Sequence, residues 1–364
     1  MAARYWVGGT GTWDGSSTSH WSTTDGGSSG ASAPTSSDTA NFTANSGLGG
    51  GGTVTITAAA ACGGCTVGGI NSKTVIFSLS GNPTWSAGTY SFQGNDQTTP
   101  ILIQSNTVGT PRILTINGTH GTHAYVHFED ITLAGTAGTL AGTLIGDCGG
   151  NSGITFAISA PQTYAGGTNN WSTAAAWTSR VPLPQDDVTV NTTTAGTLTA
   201  DMPRLGRSID FTGFTRTFTP GVGLTSYGNI TLGAGMTFTG GTGKSWTAAG
   251  RGAYTITQNG INFNVSFTLA APGGTMTIVG TWQSGNNSIT VNNGSLDAAT
   301  NNPNVNCLSV NLSISSVTRA LSMGTGTWTL TLRSGTPFNV GSGTGLTLSA
   351  ASAKIVFADT SGSG

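Results

Sequence analysis

The chain has 364 residues, of which 58 are glycine, and only 7% are charged against about 25% in ordinary soluble domains. A net charge of −1 leaves no basic stripe to neutralise phosphates, which argues against a nucleic-acid partner, and no apolar run is long enough for a membrane-spanning helix. The 9 tryptophans and 13 phenylalanines, with abundant Val, Ile and Thr, argue against disorder, because disordered chains are poor in such residues.

The start, 1–9, has no apolar core of a Sec-type signal peptide, so no export route is expected. It runs into Tyr5-Trp6-Val7-Gly8-Gly9-Thr10-Gly11-Thr12-Trp13, then Trp21-Ser22, Pro34 and Asp38-Thr39-Ala40-Asn41-Phe42. Loosely the same plan returns as Tyr164-Ala165-Gly166-Gly167-Thr168-Asn169-Asn170-Trp171-Ser172, then Trp177, Pro182 and Asp187-Val188-Thr189-Val190. A recurring order of this kind marks a chain built from repeated β units. Trp13, Trp21, Trp171 and Trp177 are candidates to stack on sugar rings, against the plainer reading that large rings fill the core where a repeat begins.

Thr53-Val54-Thr55-Ile56-Thr57 is the first clear alternating run. Period two puts the apolar set on one face and Thr, Ser and Asn on the other. Next come Cys62 and Cys65, two of the 4 cysteines with Cys148 and Cys307. Their spacing fits a redox pair or half a zinc site, but zinc needs about four ligands and no second close pair exists. They are read as small inward-facing residues, and neither a metal nor a cofactor is expected.

Histidines cluster at His120, His123 and His127 beside Glu129, the only glutamate. On a straight strand His123 and His127 stand roughly 13 Å apart, too far to share one ion. His127 and Glu129 share a face, which is expected to be an exposed polar one opposite buried Val126 and Phe128. Glu129-Asp130 and Asp186-Asp187 are sequence neighbours, which point to opposite sides of a strand and so form no catalytic dyad alone. A dyad assembled from different coils stays open; glycoside hydrolysis needs two carboxyls about 5 to 10 Å apart.

A junction is expected near Ser159-Ala160-Pro161, giving an N-terminal β region 1–160 and a second β region 161–364. Ala58 to Ala61 and Ala174 to Ala176 are too short to nucleate helices. Gly243-Lys244-Ser245 is no phosphate loop, because Phe238 stands where that pattern needs glycine and no helix follows. Ile261-Asn262-Phe263-Asn264-Val265-Ser266-Phe267-Thr268-Leu269, the run 308–314 and Trp328-Thr329-Leu330-Thr331-Leu332 read as further strands. Lys354-Ile355-Val356-Phe357 reads as one more, after which no polar cap is visible before Gly364. A solenoid needs its last coil covered, so the natural chain is expected either to extend further or to meet another subunit there.

These signals predict an all-β fold. A parallel β-helix or solenoid is favoured, because strand signals continue without a sandwich-sized boundary; β-sandwich repeats are the alternative.

The segment Arg4-Tyr5-Trp6-Val7-Gly8-Gly9, through Trp13-Asp14 and Trp21-Ser22, resembles glycine- and threonine-rich structural proteins of tailed bacteriophages. Phe128-Glu129-Asp130-Ile131, Gly146-Asp147 and Gly149-Gly150-Asn151-Ser152-Gly153-Ile154-Thr155-Phe156 are similar to the same group. So are Val181-Pro182-Leu183-Pro184-Gln185-Asp186-Asp187 and Asp201-Met202-Pro203-Arg204; beyond these only composition matches. The resemblance implies a virion component, an elongated β-helical fibre, spike or decoration, and brings no catalytic residues. Related tryptophan-glycine blocks open repeats in autotransported bacterial surface proteins, which keeps a secreted adhesin as the alternative and a polysaccharide depolymerase as a second. The expectation is a non-enzymatic virion protein with no cofactor. Its expected partners are copies of itself, other virion proteins and host surface glycans; its expected place is the virion, or alternatively an extracellular surface.

Overall fold

Alternating Thr-Val-Thr-Ile runs form strands because β-branched side chains pack well on a pleated surface. The computed structural model describes residues 1–358 apart from 194, 242, 316 and 342. It is 42% strand and 1% helix, a parallel β-solenoid of about 14 turns. Coil after coil pairs in parallel, as where Gly52–Ile56, Val75–Leu79, Ile101–Ser105 and Val126–Glu129 lie side by side. A sandwich would pair antiparallel. Among the described residues antiparallel pairing occurs only between Ala3–Trp6 and Trp21–Ser22 and at the Tyr164–Trp177 bridge. By internal packing the chain divides into two units, Met1–Ile158 and Ser159–Gly364, each with its own core. Residues 359–364, where no cap was visible in the sequence, lie outside the described residues.

In the first unit one coil is made of Thr119–Ala124, Val126–Glu129 and Ile131–Ala134. Two single residues turn its corners, Tyr125 at φ 53° and Asp130 at φ 55°. That left-handed conformation reverses the pleat in one step and is uncommon outside glycine. The corner at Tyr125 overturns the straight-strand reading, since His123 and His127 stand on different sides of the coil. Inside, side chains stack along the axis in register, as in Val54, Phe77, Ile103 and Phe128, all buried. Each buries apolar area worth about 25 cal/mol per Å².

The second unit repeats the plan with a column of aromatics. Phe218, Phe238, Phe263 and Trp282 follow one another at ring separations of 5.4, 5.3 and 5.5 Å. Leu224, Trp246, Phe267, Ile289 and Val310 form a second buried column on another side. The run 261–269 is not one strand. The chain turns a corner before Ser266, and the strand Ser266–Val279 then continues round the next corner. Leu308 and Ser309 likewise sit at a corner between Val305–Cys307 and Val310–Asn311.

Both units open alike. Thr10 and Thr168 each accept a backbone N–H from a later strand, from Thr53 and Thr197, at 3.1 and 3.3 Å. The Trp6 indole N–H and the Tyr164 hydroxyl each donate to the carbonyl three residues on, Gly9 and Gly167, at 2.8 and 2.7 Å. Pro34 and Pro182 each precede by four residues an aspartate that gathers N–H groups. Asp38 takes those of Ala2 and Thr35, and Asp186 those of Ala160 and Leu183. The counterpart of Asp38 is therefore Asp186, not Asp187 as the sequence order suggested. The backbone geometry, not the neighbouring Asp-Val-Thr-Val string, sets the register.

Candidate functional site

Trp13, Trp21, Trp171 and Trp177 are 0%, 1%, 0% and 5% exposed. Trp13 packs on Trp21 at 5.3 Å and on Trp85 at 5.4 Å, and Trp171 packs on Trp177 at 4.6 Å. Sugar stacking needs an open ring face, and these four faces are covered by protein. The expected glycan contact at Trp13, Trp21, Trp171 and Trp177 is corrected to a packing role in the opening coils of the two units, because burying large rings there releases the most apolar surface from water.

The histidines form a directed chain. The Phe92 N–H donates to His123 Nδ1 at 3.2 Å, so that nitrogen is the acceptor and Nε2 carries the proton. His123 Nε2 then donates to His120 Nδ1 at 3.2 Å, and His120 Nε2 donates to the Gly138 carbonyl at 3.1 Å. Burial, with the neighbouring His120, lowers the His123 pKa to about 4. His127 is 1% exposed, so the exposed polar face expected for it is corrected to a buried one.

The carboxylates hold turns. Asp14 accepts from the N–H groups of Ser17 and Ser16, which hold it below the usual carboxylate range. The Thr35 hydroxyl and N–H do the same for Asp38. Asp130 accepts from Gly109, Asp147 from Gly149, Asp201 from Ser172, Asp210 from Thr212 and Asp297 from Ala299. Asp186 faces the Arg180 guanidinium at 2.6 and 3.0 Å while buried, and Asp187 is paired with Arg207. Every described aspartate, with Asp25 bound by the Thr43 hydroxyl and Asp96 by Thr98 and Thr99, is thus tied to a turn or a neighbouring coil. Asp side chains suit this, since they hydrogen-bond backbone N–H groups two or three residues on.

All four cysteines are buried, and none is joined in a disulfide. Burial raises the thiols of Cys62 and Cys65, and that of Cys307 to about 12, so they stay protonated and inert at neutral pH. Among the described residues no three His, Cys, Asp or Glu side chains gather to hold a metal ion, and no helix is long and apolar enough to cross a membrane.

The concave surface lies elsewhere. In the second unit, the corners 239–244, 284–288 and 331–337 that follow Phe238, Gln283 and Leu330 are longer than the one at Leu308-Ser309. Two open clefts result. One, of about 650 Å³, is lined by Gly240, Gly241, Gly243, Lys244, Ser245, Asn264, Ser266 and Asn287. The other, of about 460 Å³, is lined by Asn286, Leu308, Thr331, Leu332, Arg333 and Ser334. Sequence reasoning passed over Lys244 because it tested that stretch only as a phosphate loop. The signal it lacked is the length of these corners, visible only once the coils are counted. No family model, no curated protein and no solved structure matches the chain.

Proposed function

We propose that the chain is a non-enzymatic structural protein of a bacteriophage virion, an elongated fibre, spike or surface decoration that meets host surface glycans. The observation that carries this reading is the use of the acidic side chains: the described aspartates are committed to turns and coil-to-coil contacts rather than gathered in a groove. Side-chain ladders inside and Thr, Ser and Asn outside suit a stiff body that stays hydrated with little charge. The likeness of 4–22 and 128–156 to phage structural proteins supports the virion as its place. Copies of itself and other virion proteins are its partners, and display of many weak contacts on one body makes them effective together. Mass spectrometry of purified phage particles tests this. Peptides of the chain in the particle at stoichiometric yield are the expected result; their consistent absence, or recovery of the chain from the bacterial surface instead, would overturn it.

A further inference from the structure

We propose that the cleft at the corner 239–244 of the second unit is a subsite for a neutral sugar, held by the hydroxyls of Ser245 and Ser266 and the side-chain amide of Asn287. The inference rests on the reading of the chain as a protein that meets host glycans, and it gives that contact a place and a chemistry.

Three successive coils shape the cleft. Residues 239–244 form the corner between Phe238 and Ser245. In the next coil only Asn264 and Val265 separate Phe263 from Ser266. In the coil after that, 284–288 separate Gln283 from Ile289. These coils are neighbours, since Ser245 pairs with Ser266 and Phe267 with Ile289. The short passage at Asn264 therefore sits between two longer corners. The space of about 650 Å³ falls within the range of roughly 300–1,000 Å³ usual for small-molecule sites.

The open polar groups decide the chemistry. Ser245 and Ser266 lie in register on neighbouring strands, which stand about 4.8 Å apart. Both line the cleft, and their hydroxyls have no hydrogen-bond partner among the described residues. The next serines along the row behave differently: Ser288 and Ser309 bond to each other at 2.7 Å. Asn287 spends one amide N–H on the Ser284 carbonyl at 3.0 Å. Its other N–H and its amide oxygen have no partner among the described residues. Hydroxyls and primary amides both donate and accept. A ligand that satisfies them must do the same at several adjacent atoms, as the neighbouring hydroxyls of a sugar do. Carboxylate and sulfate oxygens only accept, and would leave the Asn287 oxygen facing a second acceptor. Lys244 adds donors at the edge, and Gly240, Gly241 and Gly243 leave that edge without side chains.

The surroundings of these groups are fixed before any ligand arrives. Asn264 donates to the Phe238 carbonyl at 2.6 Å and accepts from Asn262 at 2.6 Å. The buried Ser284 hydroxyl donates to the Asn287 carbonyl at 3.0 Å, which closes a loop with the amide bond running the other way. Groups fixed in this way lose little freedom on binding. A single small site of this kind binds weakly, and many copies on one body make it effective.

The test is a printed array probed with the full 364-residue chain. The array carries neutral oligosaccharides of glucose, galactose, mannose and N-acetylglucosamine, with carboxylated and sulfated glycans beside them. At least one neutral class should be retained, and added salt should leave that retention unchanged, because screening weakens only charge contacts. The double variant Ser266→Ala/Asn287→Ala should bind at least about tenfold more weakly, the scale of two lost hydrogen bonds. Ser266→Tyr, which fills the cleft, should abolish retention. Thr55→Ala, an outward hydroxyl of the first unit, should bind as the parent does. Circular dichroism confirms that each variant folds. Retention of acidic glycans only, retention of none, parental binding by either cleft variant, or an equal loss in Thr55→Ala overturns the subsite. A chain present in particles that holds no neutral glycan overturns this inference alone. A chain that holds one through the cleft yet is absent from particles overturns the virion reading alone.

Discussion

His123 is uncharged in the fold because both ring nitrogens are committed, Nδ1 to the Phe92 N–H and Nε2 to His120. A proton on Nδ1 would remove the first bond inside a buried site. Its pKa is depressed to about 4 from the ordinary 6.5, so below pH 6.5 the unfolded chain takes up a proton that the fold refuses. The stability this site contributes is complete above pH 6.5 and is lost as pH falls from there towards 4. The loss should reach about 2–3 kcal/mol. Denaturant melts at pH 7 and pH 4.5 should show it, and His123→Gln, which keeps an acceptor and a donor without titrating, should flatten the difference. The tryptophans make the opposite kind of prediction. Trp13→Ala should cost about 3–5 kcal/mol, as large core deletions do, read from chemical denaturation.

At the scale of the element, corners decide more than strands. Period-two alternation located the strands Gly52–Ile56 and Thr327–Leu330, since a half-buried pleat demands it. It missed the corners inside 261–269 and 308–314, because an alternating string reads the same whether it runs straight or bends between coils. Tyr125 and Asp130, the left-handed corner residues, carry no sequence mark that separates them from strand residues. Glycine corners are stricter. A side-chain carbon on Gly88 would lie 1.4 Å from the Gly63 carbonyl oxygen of the preceding coil. Gly88→Ala should therefore push two coils apart and cost about 4 kcal/mol or more, read from chemical denaturation. Asp186 locks the opening coil of the second unit through Arg180 and two backbone N–H groups. Asp186→Ala should cost about 3–5 kcal/mol, because it strands a largely buried guanidinium, whereas breaking the exposed Arg207–Asp187 pair should change stability by less than about 1 kcal/mol.

At the scale of the whole molecule, each unit has its own core and its own opening coil. A protein limited to 159–364 should therefore fold by itself, with β-rich circular dichroism and a cooperative thermal transition. A chain that stays unfolded would show that its first coil depends on 1–158. Nearest-neighbour stacking predicts this, since a solenoid coil draws its stability from the coils beside it.

Composition and alternation alone determined that the chain is all-β, that its strands hide Val, Ile, Leu and aromatic side chains and that a Trp-Gly plan begins twice, because those properties are local to a few residues. Only the tertiary structure decided which side of a residue faces inward at a corner, that the tryptophans are covered, and that His123 is buried and reached by the Phe92 N–H of the preceding coil. Each of these depends on which coil lies against which. That contact is made between residues far apart in the chain, 36 for Ala2 with Asp38 and 20 for Arg207 with Asp187, and no string of neighbours records it.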